Sequence, residues 1–259
     1  MLKIDALLEL FWTDIPPEER IEKIAGCGYK YIETWLGGDA DELKKIGNAC
    51  AENDVKLVSI VMNFADDDTV APVRADCLDT FLARIDEYSD NALAAGCNAG
   101  IVTAGNLVEG MNRSEHKLNL TAAIRKAGIL AAKKDFRLNL EPLNTLVDHA
   151  GYYLDSREDA VDIVKEVDLD NVKILYDIYH MEIMTGNQID FINKNINYIG
   201  HFHSAGVPGR HELFNGETNY PFIIKRIEET GYDKYFGLEY MPELESGESL
   251  RQTIEYLRK

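Results

Sequence analysis

The chain has 259 residues, 46% of them hydrophobic, so it can bury a large core. Its 45 acidic residues outnumber 27 Lys and Arg, for a net charge of -18. Such a surface repels phosphate backbones and anionic membranes, which argues against nucleic acid and lipid partners; diffuse acidity of this kind serves solubility.

Strand and helix signals alternate along the whole chain. A strand over Ala6–Phe11 leads to Pro16-Pro17-Glu18-Glu19, a helix start with acids in its first turn. That helix closes at Gly26-Cys27-Gly28, and a second strand spans Tyr29–Thr34. A helix over Asp39–Asn53 precedes a β-branched strand, Val55–Val61. The polar loop Asp66-Asp67-Asp68-Thr69 leads into a long helix from Val73 to Ala95, which Gly96 stops. Ala99–Thr103 is the fourth strand. Ser114 is the expected N-cap of a helix reaching Lys134. Arg137–Glu141 is the fifth strand, and Asp155-Ser156-Arg157-Glu158 opens the next helix. Val172–Asp177 is the sixth strand, followed by a short helical region through Asn193. Asn197–His203, a helix over Tyr220–Thr230, Lys234–Glu239 and a helix over Ser246–Leu257 complete the series.

Eight β-then-α units imply a parallel sheet able to close into a single (β/α)8 TIM barrel, one domain over residues 1–259. A doubly wound open sheet is the alternative, but no G-x-G-x-x-G follows the first strand. Cys27, Cys50, Cys77 and Cys97 form no C-x-x-C pair and read as buried free thiols of a reducing, cytoplasmic compartment. The N-terminal apolar stretch, broken by Asp5 and Glu9, reads as neither a secretory signal nor a membrane span.

Four strands end on side chains that bind metals: Leu138-Asn139-Leu140-Glu141, Lys173-Ile174-Leu175-Tyr176-Asp177, Tyr198-Ile199-Gly200-His201-Phe202-His203 and Tyr235-Phe236-Gly237-Leu238-Glu239. In a barrel all four reach one rim, where they would hold a divalent cation and leave positions for substrate. Each has a plainer reading. Glu141 could pair with Arg137, and Asp177 could cap the following turn. His201 and His203 share one side of their strand; His203 is nearer the rim, and His201, one layer down, reads as structural. Asp177 and His180, three apart, share a face if that turn is helical, which suggests His180 as a substrate contact. In Gly206-Val207-Pro208-Gly209-Arg210-His211-Glu212, Arg210 could grip a carboxylate or only balance local acidity. Asn219 reads as an N-cap. His149 follows the fifth strand and could cover the site; Trp12 and Trp35, just past strand ends, could wall a small pocket, although each aromatic reads first as packing.

Six ordered motifs then resemble the hydroxypyruvate isomerases, within the wider sugar isomerase/epimerase barrels. They are Glu141-Pro142-Leu143-Asn144, Gly151-Tyr152-Tyr153-Leu154, Asp177-Ile178-Tyr179-His180-Met181, Val207-Pro208-Gly209-Arg210-His211-Glu212, Gly216-Glu217-Thr218-Asn219-Tyr220 and Gly237-Leu238-Glu239-Tyr240. The likeness is good from about residue 97 to 245 and looser before that. It implies one divalent ion (Mg, Mn, Zn or Co) on Glu141, Asp177, His203 and Glu239. It also implies Glu141 and Glu239 as the acid/base pair, and His180 and Arg210 as substrate contacts. The implied reaction converts hydroxypyruvate to tartronate semialdehyde through a metal-stabilised enediolate. One position departs from the pattern. Hydroxypyruvate isomerases look to have Gln where this chain has His203, and His there is more usual in ketose epimerases. Ketose 3-epimerisation is therefore the first alternative. An endonuclease IV-like hydrolase, disfavoured by the net charge, and a silent sugar-binding barrel come after it. A small hydroxy-carbonyl or sugar is the expected partner, and homo-oligomerisation is left open.

Overall fold

The computed structural model describes residues 2–259. Eight parallel strands close in sequence order: β1 Lys3–Leu7, β2 Tyr31–Thr34, β3 Lys56–Asn63, β4 Ala99–Thr103, β5 Arg137–Glu141, β6 Val172–Asp177, β7 Ile199–Ser204 and β8 Tyr235–Leu238. Outside them pack α1 Pro17–Gly26, α2 Ala40–Glu52, α3 Leu78–Ala94, α4 Arg113–Ala132, α5 Arg157–Val167, α6 Ile178–Met184, α7 Gln188–Asn195, α8 Tyr220–Glu229 and α9 Ser246–Leu257. The expected (β/α)8 barrel is what forms. Its main core lies between strands and helices, where residues such as Ile32, Ile60, Val102, Leu140, Ile174, Phe202 and Phe236 are buried. Each such side chain contributes about 1.5–3 kcal/mol on leaving water. A smaller apolar cluster of Val61, Ile101 and Leu175, with Trp35 packed on it, is separate from that core.

Helix starts follow local chemistry. Asp39, Ser156 and Asn219 each accept a first-turn backbone N–H, the last as read from the sequence; such caps are worth roughly 1 kcal/mol each. Gly28 and Gly96, at φ +92° and +82°, take the left-handed conformation just after α1 and α3.

Three expectations shift. The first strand is Lys3–Leu7, not Ala6–Phe11, and Leu8–Leu10 coil into a 3-10 turn. Asp5, read as a break in the apolar run, lies within the strand and is buried. The cap of α4 is Asn112, not Ser114: Asn112 and Glu115 form a reciprocal capping box, which starts the helix two residues early. The helix expected from Val73 begins as a 3-10 turn at Ala75–Cys77, and α3 itself starts at Leu78.

Candidate active site

Glu141 and Asp177 end β5 and β6, His203 lies on β7, and Glu239 follows β8 directly. All four are buried. Ligand atoms of Glu141, Asp177, His180 and Glu239 lie within 4.8 Å of one another. The Nδ1 of His203 is 3.2 Å from Glu239 and 3.9 Å from Glu141. The chain therefore gathers every rim residue read from the sequence. Glu141 does not pair with Arg137, whose guanidinium donates to Asn98 instead. Asp177 does cap a helix: its Oδ1 accepts the Tyr179 N–H at 2.7 Å, while its Oδ2 faces His180 at 3.5 Å.

The loop after β7 brings Arg210 over this cluster. Arg210 holds a left-handed backbone, φ +60°, braced by its N–H to Gly206 and its carbonyl to Met241. Its Nη2 donates to Glu239 at 2.6 Å, and its guanidinium lies 5.3 Å from the Tyr179 ring centroid. Two buried tyrosines lock the neighbouring loops. Tyr152 donates to the Glu141 carbonyl and accepts from Ala104, and Tyr220 does the same to Ala205. Glu212 fixes the far side of the Arg210 loop by accepting from Glu243, Leu244 and Ser249.

The two imidazoles are held in opposite senses. Asn144 accepts the Val147 and Asp148 N–H groups through Oδ1, so its Nδ2 must be the group that meets His180 Nδ1 at 2.7 Å. His180 Nδ1 is then an acceptor, and its proton sits on Nε2, facing Asp177 and the cluster. His203 turns Nε2 away, to Glu33 Oε1 at 2.8 Å, and offers Nδ1 to the cluster. Behind it, His201 Nε2 sits 3.5 Å from Glu33 and 3.7 Å from Asp5. His201 thus lies one layer below the rim, as the alternation on β7 implies.

Charge is unevenly shared. Burial, then the Glu239 charge, pushes Glu141 well above the usual carboxylate range. The same two causes push Asp177 up to about 6. Burial also works on Glu239, but Arg210 and His203 outweigh it and hold that group well below its usual value. Burial disfavours charge on His203, yet Glu33 and Glu239 raise it well above an ordinary histidine. Burial and Arg210 keep His180 neutral. Burial lowers His201 to about 4 and, with Glu33, pushes Asp5 well up.

Trp35 donates from Nε1 to Glu239 at 3.3 Å, and His149 stands 5.3 Å from the His180 ring, so both border the cluster. Trp12 does not; its indole donates to Glu245 at the start of α9. The sequence reading missed Asn144, Asp5 and Glu33 as members of the site's surroundings. The signal for the last two was an acid inside an otherwise apolar strand.

A closed barrel with acids and an imidazole converging at the C-terminal rim defines a (β/α)8 enzyme site. Residues 21–259 match the family described as xylose isomerase-like TIM barrel. A putative hydroxypyruvate isomerase of Drosophila melanogaster is 35% identical over 96% of this chain and 96% of that one. A 2-oxo-tetronate isomerase of Haemophilus influenzae is 31% identical over 93% of this chain and 94% of its own length. Among solved structures, one described as an AP endonuclease, family 2, from Brucella melitensis superposes with a TM-score of 0.90 at 27% identity, covering 99% of each chain. The chain belongs to the xylose isomerase-like TIM barrel family, among relatives called hydroxypyruvate and 2-oxo-tetronate isomerases, and its enzyme class is isomerase.

Proposed function

We propose that this chain isomerises a small 2-oxo acid bearing a hydroxyl on the next carbon, with hydroxypyruvate to tartronate semialdehyde as the leading reaction. The observation that carries the reading is Arg210. Its guanidinium sits over a cluster of buried carboxylates, 2.6 Å from Glu239 and braced against Tyr179. A substrate carboxylate arriving there would compete with Glu239 for a planar, bidentate donor. Hydroxypyruvate and 2-oxo-tetronate, named for the relatives above, both carry a carboxylate beside the carbonyl. A free ketose does not.

The donor set fits a divalent cation. Three buried carboxylates converge beside Arg210 and His203, and Glu141 and Asp177 are raised first by burial and then by the Glu239 charge, both of which a bound cation would offset. Glu141, Asp177, Glu239 and the Nδ1 of His203 would hold it, and His180, with its proton on the inward nitrogen, would instead donate to substrate. When bound, the ion would polarise the substrate carbonyl and acidify the neighbouring C–H. Its identity stays among Mg, Mn, Zn and Co. Glu141 and Glu239 then move the proton: one takes it from the hydroxyl-bearing carbon, and the other, or the same one, delivers it to the former carbonyl carbon. Arg210 and His180 orient the acid end. Trp35 and His149 narrow access for water.

We place this activity on one domain of residues 1–259 in the cytoplasm, in keeping with four cysteines that form no disulfide. No helix of the described residues is long and apolar enough to cross a membrane. The test is a panel of hydroxypyruvate, 2-oxo-tetronate, short ketoses and their phosphates, with and without chelator. Turnover of the 2-oxo acids well above that of neutral ketoses supports the reading. Fastest turnover of a neutral ketose at C3 would replace it with a 3-epimerase.

A further inference from the structure

The rim carries two imidazoles, and their outward nitrogens meet opposite kinds of partner. What separates them lies outside the cluster. His180 receives a donor, the Asn144 amide, on the nitrogen facing away from the cluster. His203 meets a carboxylate on its outward nitrogen: Glu33 Oε1 lies 2.8 Å from Nε2 as an ion-pair contact rather than an aligned hydrogen bond, while Nδ1 is 3.2 Å from Glu239 Oε2. Nδ1 meets Glu239 as well, so the free ring has a carboxylate on each side; once an ion takes Nδ1, the carboxylate at Nε2 would keep the remaining proton there.

The strands are laid out for this contact. In the sheet register Asp177 lies beside His203, His203 beside Gly237, and Gly237 beside Asp5. Gly237 is thus the one place in that row without a side chain. A Cβ there would lie 2.5 Å from Glu33 Oε1, 2.7 Å from His203 Cδ2 and 3.0 Å from Asp5 Oδ1. The missing side chain is the space through which Glu33, from β2, reaches across to β7. Glu33, His203, His201 and Asp5 are each no more than 2% exposed, so the contact is shielded from bulk water.

We infer that Glu33, given passage by Gly237, is a positioning residue that makes His203 the nitrogen ligand of the rim ion and excludes His180 from that role. The inference rests on the metal-binding reading above. It is specific to a chain with histidine at position 203, because a glutamine amide has no ring tautomer to fix.

The test uses the full chain loaded with Co²⁺. Affinity is read by calorimetry, stoichiometry by elemental analysis, and the coordinating nitrogen by the visible spectrum and the paramagnetically shifted imidazole N–H. Wild type should bind one Co²⁺ and show one shifted N–H from His203. Glu33→Leu should weaken Co²⁺ about 10–100-fold, the range for losing a partner of a ligating histidine. It should also change the visible spectrum and lose that N–H signal. Glu33→Gln, which keeps an acceptor without the charge, should fall between. Gly237→Ala, whose Cβ would crowd both Glu33 Oε1 and the His203 ring, should also weaken Co²⁺ and change the spectrum. Unchanged affinity and spectrum in all three folded variants would overturn the positioning role alone. Two Co²⁺ in wild type with one lost in Glu33→Leu would also overturn it, since Glu33 would then be a ligand. A wild-type protein that isomerises without taking up any Co²⁺ or other divalent ion would instead remove the metal reading beneath it.

Discussion

At the ends of β3 and β4 the rim polar groups satisfy one another. Asn63 Nδ2 donates to the Thr103 carbonyl and hydroxyl, Asn63 Oδ1 accepts the Thr103 N–H, and the Thr103 hydroxyl donates to the Asn63 carbonyl. At the ends of β5 and β6, equally buried, Glu141 and Asp177 are pushed up first by burial and then by the Glu239 charge. One half of the rim is closed on itself and serves the fold. The other is left in electrostatic conflict, which a bound cation would relieve.

The sharpest way to break this contrast is to withhold the cation. Chelation should abolish turnover, and a divalent ion should restore it; full activity after exhaustive chelation would end the metal reading. The same conflict sets a pH dependence. Asp177 rises from 3.8 unfolded to about 6 folded, so the metal-free fold binds more protons than the unfolded chain between those values. Its stability should fall as pH rises through that window, by on the order of 3 kcal/mol for this group. Added metal should therefore raise the melting temperature more at pH 7.5 than at pH 4.5.

Next in size is the carboxylate pair. Glu239→Gln should keep the circular dichroism of wild type and lower kcat roughly a hundredfold or more. A Gln variant at wild-type rate would deny Glu239 any proton transfer. Arg210→Lys should raise KM for a 2-oxo acid roughly tenfold while sparing neutral ketoses, with Arg210→Ala worse in the same direction. Equal impairment of both substrate types would show that Arg210 supports Glu239 rather than reading a carboxylate. The smallest effect on activity should come from the satisfied half. Asn63→Ala leaves Thr103 groups unpaired and should cost about 1–3 kcal/mol of stability, yet change kcat/KM less than threefold. A large catalytic loss there would erase the distinction between the two halves.

The sequence was most legible where one residue obeyed one constraint. Strands such as Arg137–Glu141 and Val172–Asp177 were readable to the residue, because an apolar run ended on an acid. β1 was not, because Asp5 is polar and yet inside the barrel, and hydrophobic periodicity treats such a residue as an interruption. The rim acids and His203 could be assembled from the strand ends, and Arg210 from the loop after the seventh strand. Asn144, Glu33 and Asp5 could not, since their importance lies in which nitrogen of a distant ring they meet. Trp12 and Trp35 looked alike in the chain; only the fold sends one indole to Glu239 and the other to Glu245. The cap at Asn112 was hidden by Ser114, an equally good capping residue two positions later.

Asp177 has two oxygens with two employers. One oxygen secures the first turn of α6 by accepting the Tyr179 and His180 N–H groups, and the other looks into the rim. Descent should treat such a residue unlike its neighbours. A lineage that abandoned catalysis would be free to discard Glu141 or Glu239, but it would still need something to begin that helix. An aspartate surviving at this place in a distant homologue therefore records the helix first, and the ion only when both glutamates survive beside it.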